Sequence, residues 1–430
     1  MNETNWAGNY RYRAGKLHRP STVEQLQEVM ANAPRVRALG SRHSFTDLAD
    51  SDELVSLEGL PEEVAVDREA GTVSLSAALR YGELAEVLER EGLALANLAS
   101  LPHISVAGAV ATATHGSGDA NGNLATSVAG LELVTSSGEL LTASRGDPDF
   151  DGLVVGLGAL GAVTRLTLDA EPAYQVRQRV FEGLAWDALH EHFDQVTATG
   201  DSVSVFTRWG EAVDQVWVKS RVTDDPEQLH DDLFGAAAAT VDRHPIIELD
   251  PVTCTPQLGV PGLWSDRLPH FRMGFTPSSG EELQSEYLIP RHHSATAINI
   301  VHALADVVRP VLQVSEIRTV AADRLWMSPQ YEQDTIAIHF TWHPDPAGVD
   351  QVLVELEAAL APCQARPHWG KIFVADTATI APLYERLPDF KRLVDRLDPR
   401  SAFRNPWLTS RVFGPTTKKR FTPGSEAGEQ

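Results

Sequence analysis

The chain has 430 residues, of which 43% are hydrophobic and 22% charged, with a formal net charge of −23. At about 100–200 residues per domain, two or three domains with an ample core are expected. The negative charge argues against a nucleic-acid or anionic-membrane partner, since both reward clustered Lys and Arg.

Only Cys254 and Cys363 are present, without a CxxC, so no disulfide framework is expected and a reducing compartment fits. The start, MNETNWAGNYRYRAG, lacks the apolar stretch of a secretory signal. No apolar run reaches about 18 residues, the length of a membrane span. A cytoplasmic protein is therefore expected.

In chain order, Ser21 to Glu24 reads as a capping box, followed by Val23, Leu26, Val29 and Met30 at helical spacing. Residues 35–39 read as a strand ending at Gly40, which puts His43 on the loop after it, where functional side chains are often presented. A strand is expected over 72–77 and a helix over 81–91, with Gly92 suited to its C-terminal cap. Residues 131–143 read as a hairpin turning at Ser136-Ser137-Gly138, and 163–168 alternate like a half-buried strand. The character changes near Pro172. From Gly414 the chain is polar and rich in Gly and Pro, and is expected to be disordered.

Three motif-like features fail the reading their spelling suggests. Gly156-Leu157-Gly158-Ala159-Leu160-Gly161 spells GxGxxG, but it precedes a strand pattern rather than opening a helix, so a Rossmann NAD site is rejected. His190-Glu191-His192 is not HExxH, and His292-His293 lacks ligands at metal spacing, so no metal is expected. Without long heptads nothing suggests an oligomer, and a monomer is the default.

The richest stretch is LPHISVAGAVATATHGSG, residues 101–118, in which eleven of eighteen residues are Gly, Ala, Ser or Thr. Small side chains let backbone approach a ligand, and successive N–H groups form anion-binding nests. A tightly packed buried turn is the bland alternative. Glu316 and Arg318 in EIRT, and His339 and Thr341 in HFTW, each share one face of a strand because side chains alternate. A surface ion pair and a solvated polar face are their bland alternatives.

Together with ALGSRHSF at 38–45 and RPHWGK at 366–371, the small-residue stretch resembles the flavin oxidoreductases of the vanillyl-alcohol oxidase superfamily. Within it, NWAGN at 5–9, HFRMGFTPSSGEELQSEYLIPR, EIRTVAAD and HFTW point to the alditol oxidase group, which includes xylitol oxidase. The resemblance implies a two-domain α+β fold. An FAD-binding domain would span 1–172, a substrate domain with a large mixed or antiparallel sheet 173–375, and a C-terminal segment over 376–413 would return to the first.

The resemblance also assigns roles. FAD would be bonded covalently to His43 and lined by Ala38, Leu39, Gly40, Ser41, Arg42 and Ser44. Ser100, Ser105, Gly108, Thr112, Ala113, Thr114 and His115 would line the flavin and its pyrophosphate, with Ala162 and Val163 on the adenine side. The commoner family form has Gly where Arg42 stands. Ser100, Glu316, Arg318, Thr341 and Lys371 would bind a polyol, and either Lys371 or His339 would take the hydroxyl proton.

The implied reaction is oxidation of a terminal CH₂OH of xylitol or sorbitol to the aldose, with hydride passing to flavin N5 and O₂ leaving as H₂O₂. One alternative is a flavin dehydrogenase of an aldonolactone or sugar with poor O₂ reactivity. Another is a non-catalytic FAD- or sugar-binding protein.

Overall fold

A computed structural model describes residues 3–223, 232–275 and 281–414. The polar tail expected to be disordered lies outside them from residue 415.

The chain begins with β1 (Lys16–His18), α1 (Val23–Asn32), β2 (Val36–Leu39) and β3 (Glu53–Ser56). The three strands form a parallel sheet in the order β1-β3-β2. The cap of α1 sits one residue later than the sequence pattern predicts. Thr22, not Ser21, is the N-cap and accepts from Gln25 N at 3.3 Å, while Gln25 Oε1 accepts from Ser21 N at 2.8 Å. Both hydroxyl residues can cap, and the one three positions before a Gln prevails. Leu26 and Met30 turn inward onto Val36 and Val55.

β4 (Val64–Asp67), β5 (Thr72–Ser76), α2 (Tyr81–Arg90) and α3 (Val106–Ala111) follow, then β6 (Val128–Val134), β7 (Leu140–Ser144) and β8 (Ala162–Asp169). These strands make an antiparallel sheet in the order β4-β5-β8-β6-β7. β8 alternates buried and half-buried residues, as its period-two pattern predicts. The glycine run 156–161 leads directly into β8, with Leu157 and Gly158 at positive φ, and opens no helix.

Between Asp169 and Gln175 the chain crosses to a ten-stranded sheet. Its main strands are β9 (Gln175–Glu182), β10 (Ser202–Thr207), β11 (Gln215–Arg221), β12 (Leu283–Pro290), β13 (Leu312–Val320) and β14 (Thr335–Trp342). They run antiparallel in the order β9-β11-β10-β13-β14-β12, with short strands extending both ends. Every residue of β10, β12, β13 and β14 is buried. One face packs its apolar side chains against helices Ser294–Ala303 and Pro346–Leu360. The opposite face carries a smaller apolar cluster around Phe206, Trp217 and Val314 beside the polar side chains of Glu286, Glu316, Arg318 and His339. The fold is thus α+β with a large antiparallel sheet, and no helix among the described residues is long and apolar enough to cross a membrane.

The C-terminal part packs on the first half of the chain. Trp369, Phe390 and Trp407 join the core that holds Val73, Leu75 and Leu166. Asn405 caps the helical turn Pro406–Leu408, accepting from Leu408 N at 2.8 Å, and donates to the carbonyls of Asp47, Leu48 and Asp50. One buried side chain thus ties the C-terminal segment to the loop beyond His43. Asn405→Ala leaves those buried carbonyls unpaired, and a loss of about 1–3 kcal/mol is expected, read as a lower thermal midpoint by far-UV circular dichroism. An unchanged midpoint would remove Asn405 from this role.

Candidate active site

The loop after β2 turns sharply at Arg42, which has φ 63, the left-handed region where glycine carries no penalty. That conformation accounts for glycine in the commoner family form. Here Arg42 holds it with ion pairs to Glu3 at 3.3 Å and Glu58 at 3.8 Å.

The next residue, His43, stacks on Trp6 at 5.6 Å between ring centroids. Its Nδ1 lies 3.1 Å from Ser41 Oγ, and its buried Nε2 has no hydrogen-bond partner. Burial, then the charge of His103, pushes its pKa down to about 4, so the ring is neutral at pH 7 and keeps a lone pair.

The N-terminal NWAGN segment straps this loop. Asn5 donates to Ser44 O, Asn9 donates to Phe45 O, each at 3.0 Å, and Trp6 N donates to Arg42 O at 2.8 Å. The RPHWGK segment closes it from the other side, where Gly370 O accepts from Phe45 N at 3.0 Å and Ser44 Oγ at 3.2 Å. Ser105 at the start of the small-residue helix α3 packs against Gly40, where an added Cβ would come within 2.7 Å of Ser105 Oγ. A larger residue there would displace the Ser105 hydroxyl, which lies 3.4 Å from Ser41 Oγ.

These segments wall one side of a cavity of about 300 Å³. Its lining runs from Leu133, Leu160 and Val163 beside β8, past residues 38–44, to Ser100 and the polar face of the large sheet. Of the residues that the resemblance assigns to the cofactor, all line this cavity except two. Ala113 and Ala162 are fully buried behind it, Ala162 on the opposite face of β8 from Val163.

The facing wall comes from three neighbouring strands. Register places Glu316 of β13 opposite His339 of β14, and His339 opposite Glu286 of β12. One step along, Thr341 lies opposite Gln284. All five side chains share one face because strand side chains alternate.

Arg318 pairs closely with Glu286 Oε1 and lies 3.6 Å from Glu316 Oε1. His115 Nε2 reaches Glu286 Oε1 at 3.3 Å, and His339 Nδ1 lies 3.7 Å from its Oε2. His339 Nε2 lies 3.2 Å from Thr341 Oγ1. Lys371, half-buried beneath the Phe45 ring, hydrogen-bonds Gln284 Oε1.

Electrostatics follow from this packing. Burial pushes both carboxyls up, but Arg318 and the adjacent histidines, His115 for Glu286 and His270 for Glu316, outweigh it and hold both well below the usual carboxylate range. Burial lowers His339 below the ordinary histidine value against the pull of Glu286. Burial lowers Lys371 to about 8, against the opposing pull of Glu286.

Sequence reasoning placed Ser100, Glu316, Arg318, His339, Thr341 and Lys371 at the site, and all six line the one cavity. It missed Gln284, Glu286, His270 and His368, which line it too. Gln284 and Glu286 had a signal, since LQSEYLIP alternates in the same way as the strands carrying Glu316 and His339. His270 opens the HFRMGFTP segment that carries part of the resemblance, but it sits on an irregular loop with no periodicity to show where its side chain points. Among the described residues no cluster of three or more His, Cys, Asp or Glu could hold a metal ion.

A flavin fits the residues present. Small side chains line the wall around residues 38–44 and 105–114, hydroxyls and N–H groups face the cavity, and an unpaired buried histidine nitrogen stands in its wall.

Residues 16–144 match the FAD binding domain family, and 279–411 match the D-arabinono-1,4-lactone oxidase family. The chain is 48% identical over 416 residues to the alditol oxidase of Streptomyces sp. (strain IKD472 / FERM P-14339), covering 96% of this chain and 99% of that one. It is 29% identical over 436 residues to the L-gulono-1,4-lactone dehydrogenase of Mycobacterium tuberculosis, covering 96% and 99%. Its fold is that of the crystal structure of cholesterol oxidase from B. sterolicum, with TM-score 0.76, 16% identity and coverage of 95% and 96%.

Removing Glu286 takes from the buried Arg318 its closest counter-charge and leaves it only Glu316 at 3.6 Å. Glu286→Ala is expected to lose about 3–5 kcal/mol of stability, measured by chemical denaturation, and Glu286→Leu combined with Arg318→Met is expected to lose less. A double variant no more stable than the single would remove Glu286 as the counter-charge of Arg318.

Proposed function

The chain belongs to the alditol oxidase family of FAD-dependent oxidoreductases, and on that premise we propose that it oxidises the terminal primary alcohol of an acyclic polyol such as xylitol or sorbitol to the aldose. FAD, when bound, supplies the two-electron oxidation, and O₂ is the final acceptor, leaving as H₂O₂. The observation that carries this reading is the single cavity, with a small-residue cradle on one side and the Glu316–Arg318–His339–Thr341 face with Lys371 on the other.

The two walls divide the work. Residues 38–44, Ser105, Gly108, Thr112 and Thr114 would hold the cofactor through backbone N–H groups and hydroxyls, and His43 would tether it covalently through a ring nitrogen. Its low pKa supports this, since a neutral imidazole keeps the lone pair that bond formation needs. Residues 1–172 with 376–413 form the cofactor domain and 173–375 the substrate domain. The contacts of Asn405 with the loop after His43 support that division.

A polyol offers a row of hydroxyls, each both donor and acceptor. Glu316 accepts from them, Arg318 donates to them, and Ser100 and Thr341 do either. Holding several hydroxyls at once fixes the reacting carbon against the cofactor. The surrounding burial excludes water and strengthens each of these bonds.

Lys371 takes the hydroxyl proton. Its pKa of about 8 lies near working pH, where a general base is most effective. His339, already neutral and directed at Thr341, orients that hydroxyl. The chain acts in a reducing, cytoplasmic compartment, which the two unpaired buried cysteines support.

Two measurements test this. Purified protein precipitated with acid should keep its yellow colour in the pellet and bleach, before precipitation, when xylitol is added without air. His43→Ala should release its flavin to the supernatant. Free flavin from the unaltered protein would overturn the covalent tether, and a protein without flavin would overturn the whole reading.

The second measurement is the pH profile. Below about pH 8 Lys371 is an ammonium without a lone pair, and above it a free amine. The kcat/KM for xylitol should therefore rise with pH and level off above about 8, and Lys371→Met should lose that limb along with most of the activity. A profile flat from pH 6 to 9 (roughly the window between the ordinary His and Lys values) would assign the base to His339 instead.

A further inference from the structure

Lys219 lies on β11, two strands from Glu316, and is 1% exposed. A fully buried lysine needs partners for its three N–H donors. It has three: the carbonyls of Leu268 and Pro269, the latter at 3.1 Å, and His270 Nδ1 at 2.9 Å. His270 stands between the edges of Phe206 and Trp217, with centroids at 5.5 and 5.2 Å, and its Nε2 lies 2.9 Å from Glu316 Oε1.

The direction of each hydrogen bond follows from chemistry. Arg318 holds Glu316 as a carboxylate, which can only accept, so His270 Nε2 must donate to it. Burial lowers Lys219 to about 7, and as amine or ammonium it still has an N–H to donate to His270 Nδ1. Burial, then the charge of Lys219, pushes His270 down to about 4, so it carries one ring proton at pH 7. That proton is therefore on Nε2 and is donated to Glu316. Both protein contacts of the Glu316 carboxylate, from His270 and Arg318, fall on Oε1. Oε2 is left to accept from a hydroxyl. The same loop also donates His270 N and Phe271 N to Ser100 O, at 3.1 and 3.3 Å.

We infer that Lys219 and His270 are positioning residues for substrate recognition. Lys219 selects the His270 tautomer that donates to Glu316, and it holds against the sheet the loop that places Ser100. The inference rests on the assignment of Glu316 to the polyol. Without Lys219, the vacated carbonyl of Leu268 favours the opposite tautomer, while Pro269 O keeps its bond from Thr255 Oγ1 at 2.7 Å. His270 would then turn a lone pair toward Glu316 Oε1, and the carboxylate would shift or take up a proton.

The test is a double-mutant cycle on the flavin-loaded enzyme, with flavin content and thermal midpoint recorded for each variant. Lys219→Met should raise KM for xylitol roughly tenfold or more, with a smaller effect on kcat. His270→Gln carries an amide donor at the Nε2 position that needs no tautomer. It should keep KM within about threefold of the unaltered enzyme, whereas the shorter amide of His270→Asn does not reach Glu316 and should raise KM as Lys219→Met does. In the His270→Gln background, adding Lys219→Met should change KM by less than about twofold. Equal losses in both backgrounds would make Lys219 merely structural and overturn the inference.

If Lys219→Met does not fold, the contrast between His270→Gln and His270→Asn decides alone, and equal KM values for the two overturn the inference. Glu316→Gln separates the underlying assignment. An unchanged KM there would overturn the polyol site itself, whereas a raised KM beside an unaffected Lys219→Met would overturn only the relay.

Discussion

Two carboxylates, Glu286 and Glu316, are buried on one sheet face on either side of a single guanidinium, that of Arg318. Moving an ion out of water costs several kcal/mol unless each charge is met at close range. One arginine cannot satisfy two carboxylates, so the face draws on other parts of the chain. His115 arrives from the small-residue run, His270 from a loop held by Lys219, and His339 from the strand between. The result is a wall whose side chains are already ordered before substrate arrives. Little rotamer entropy is then lost on binding, which is the physical basis of preorganisation.

The opposite wall follows a different logic. It is built from residues with little side chain to offer, and its order comes from the backbone. Gly40 and Ser105 touch because neither has bulk to prevent it. The turn at Arg42 is held by ion pairs at its tip and by Asn5, Asn9 and Gly370 along its sides. The NWAGN and RPHWGK segments, more than 350 residues apart in the chain, therefore serve one loop. Phe45 links the walls directly, since its ring carries Lys371 while its N–H is bonded to Gly370 O.

Much of this was legible in the sequence. Strand alternation placed Glu316 with Arg318 and His339 with Thr341, because a period of two depends only on neighbouring residues. The helix over 81–90, the hairpin around Gly138 and the glycine run entering a strand follow from turn and cap chemistry of the same short range. The displaced cap of α1 marks the limit of such reasoning, since Ser21 and Thr22 offer the same hydroxyl and only the helix geometry chooses between them. Ala113 and Ala162 mark another. Membership of a cofactor-lining motif does not say which face of the backbone meets the cavity, and both turn into the core.

By itself the sequence determined the local elements, the small-residue cradle and the pairs of polar side chains that share a strand face. Tertiary structure alone decided that those pairs become neighbours. Glu316, His339 and Glu286 lie in one row because of the register between β13, β14 and β12, and a shift of one residue would turn every one of them to the other face. It also decided the partners of the buried charges. Lys219, His270 and Glu316 carry no common spacing or motif, and what joins them is the need of a buried ion for a donor or acceptor within about 3 Å. That requirement acts through space, and no local pattern in the chain records it.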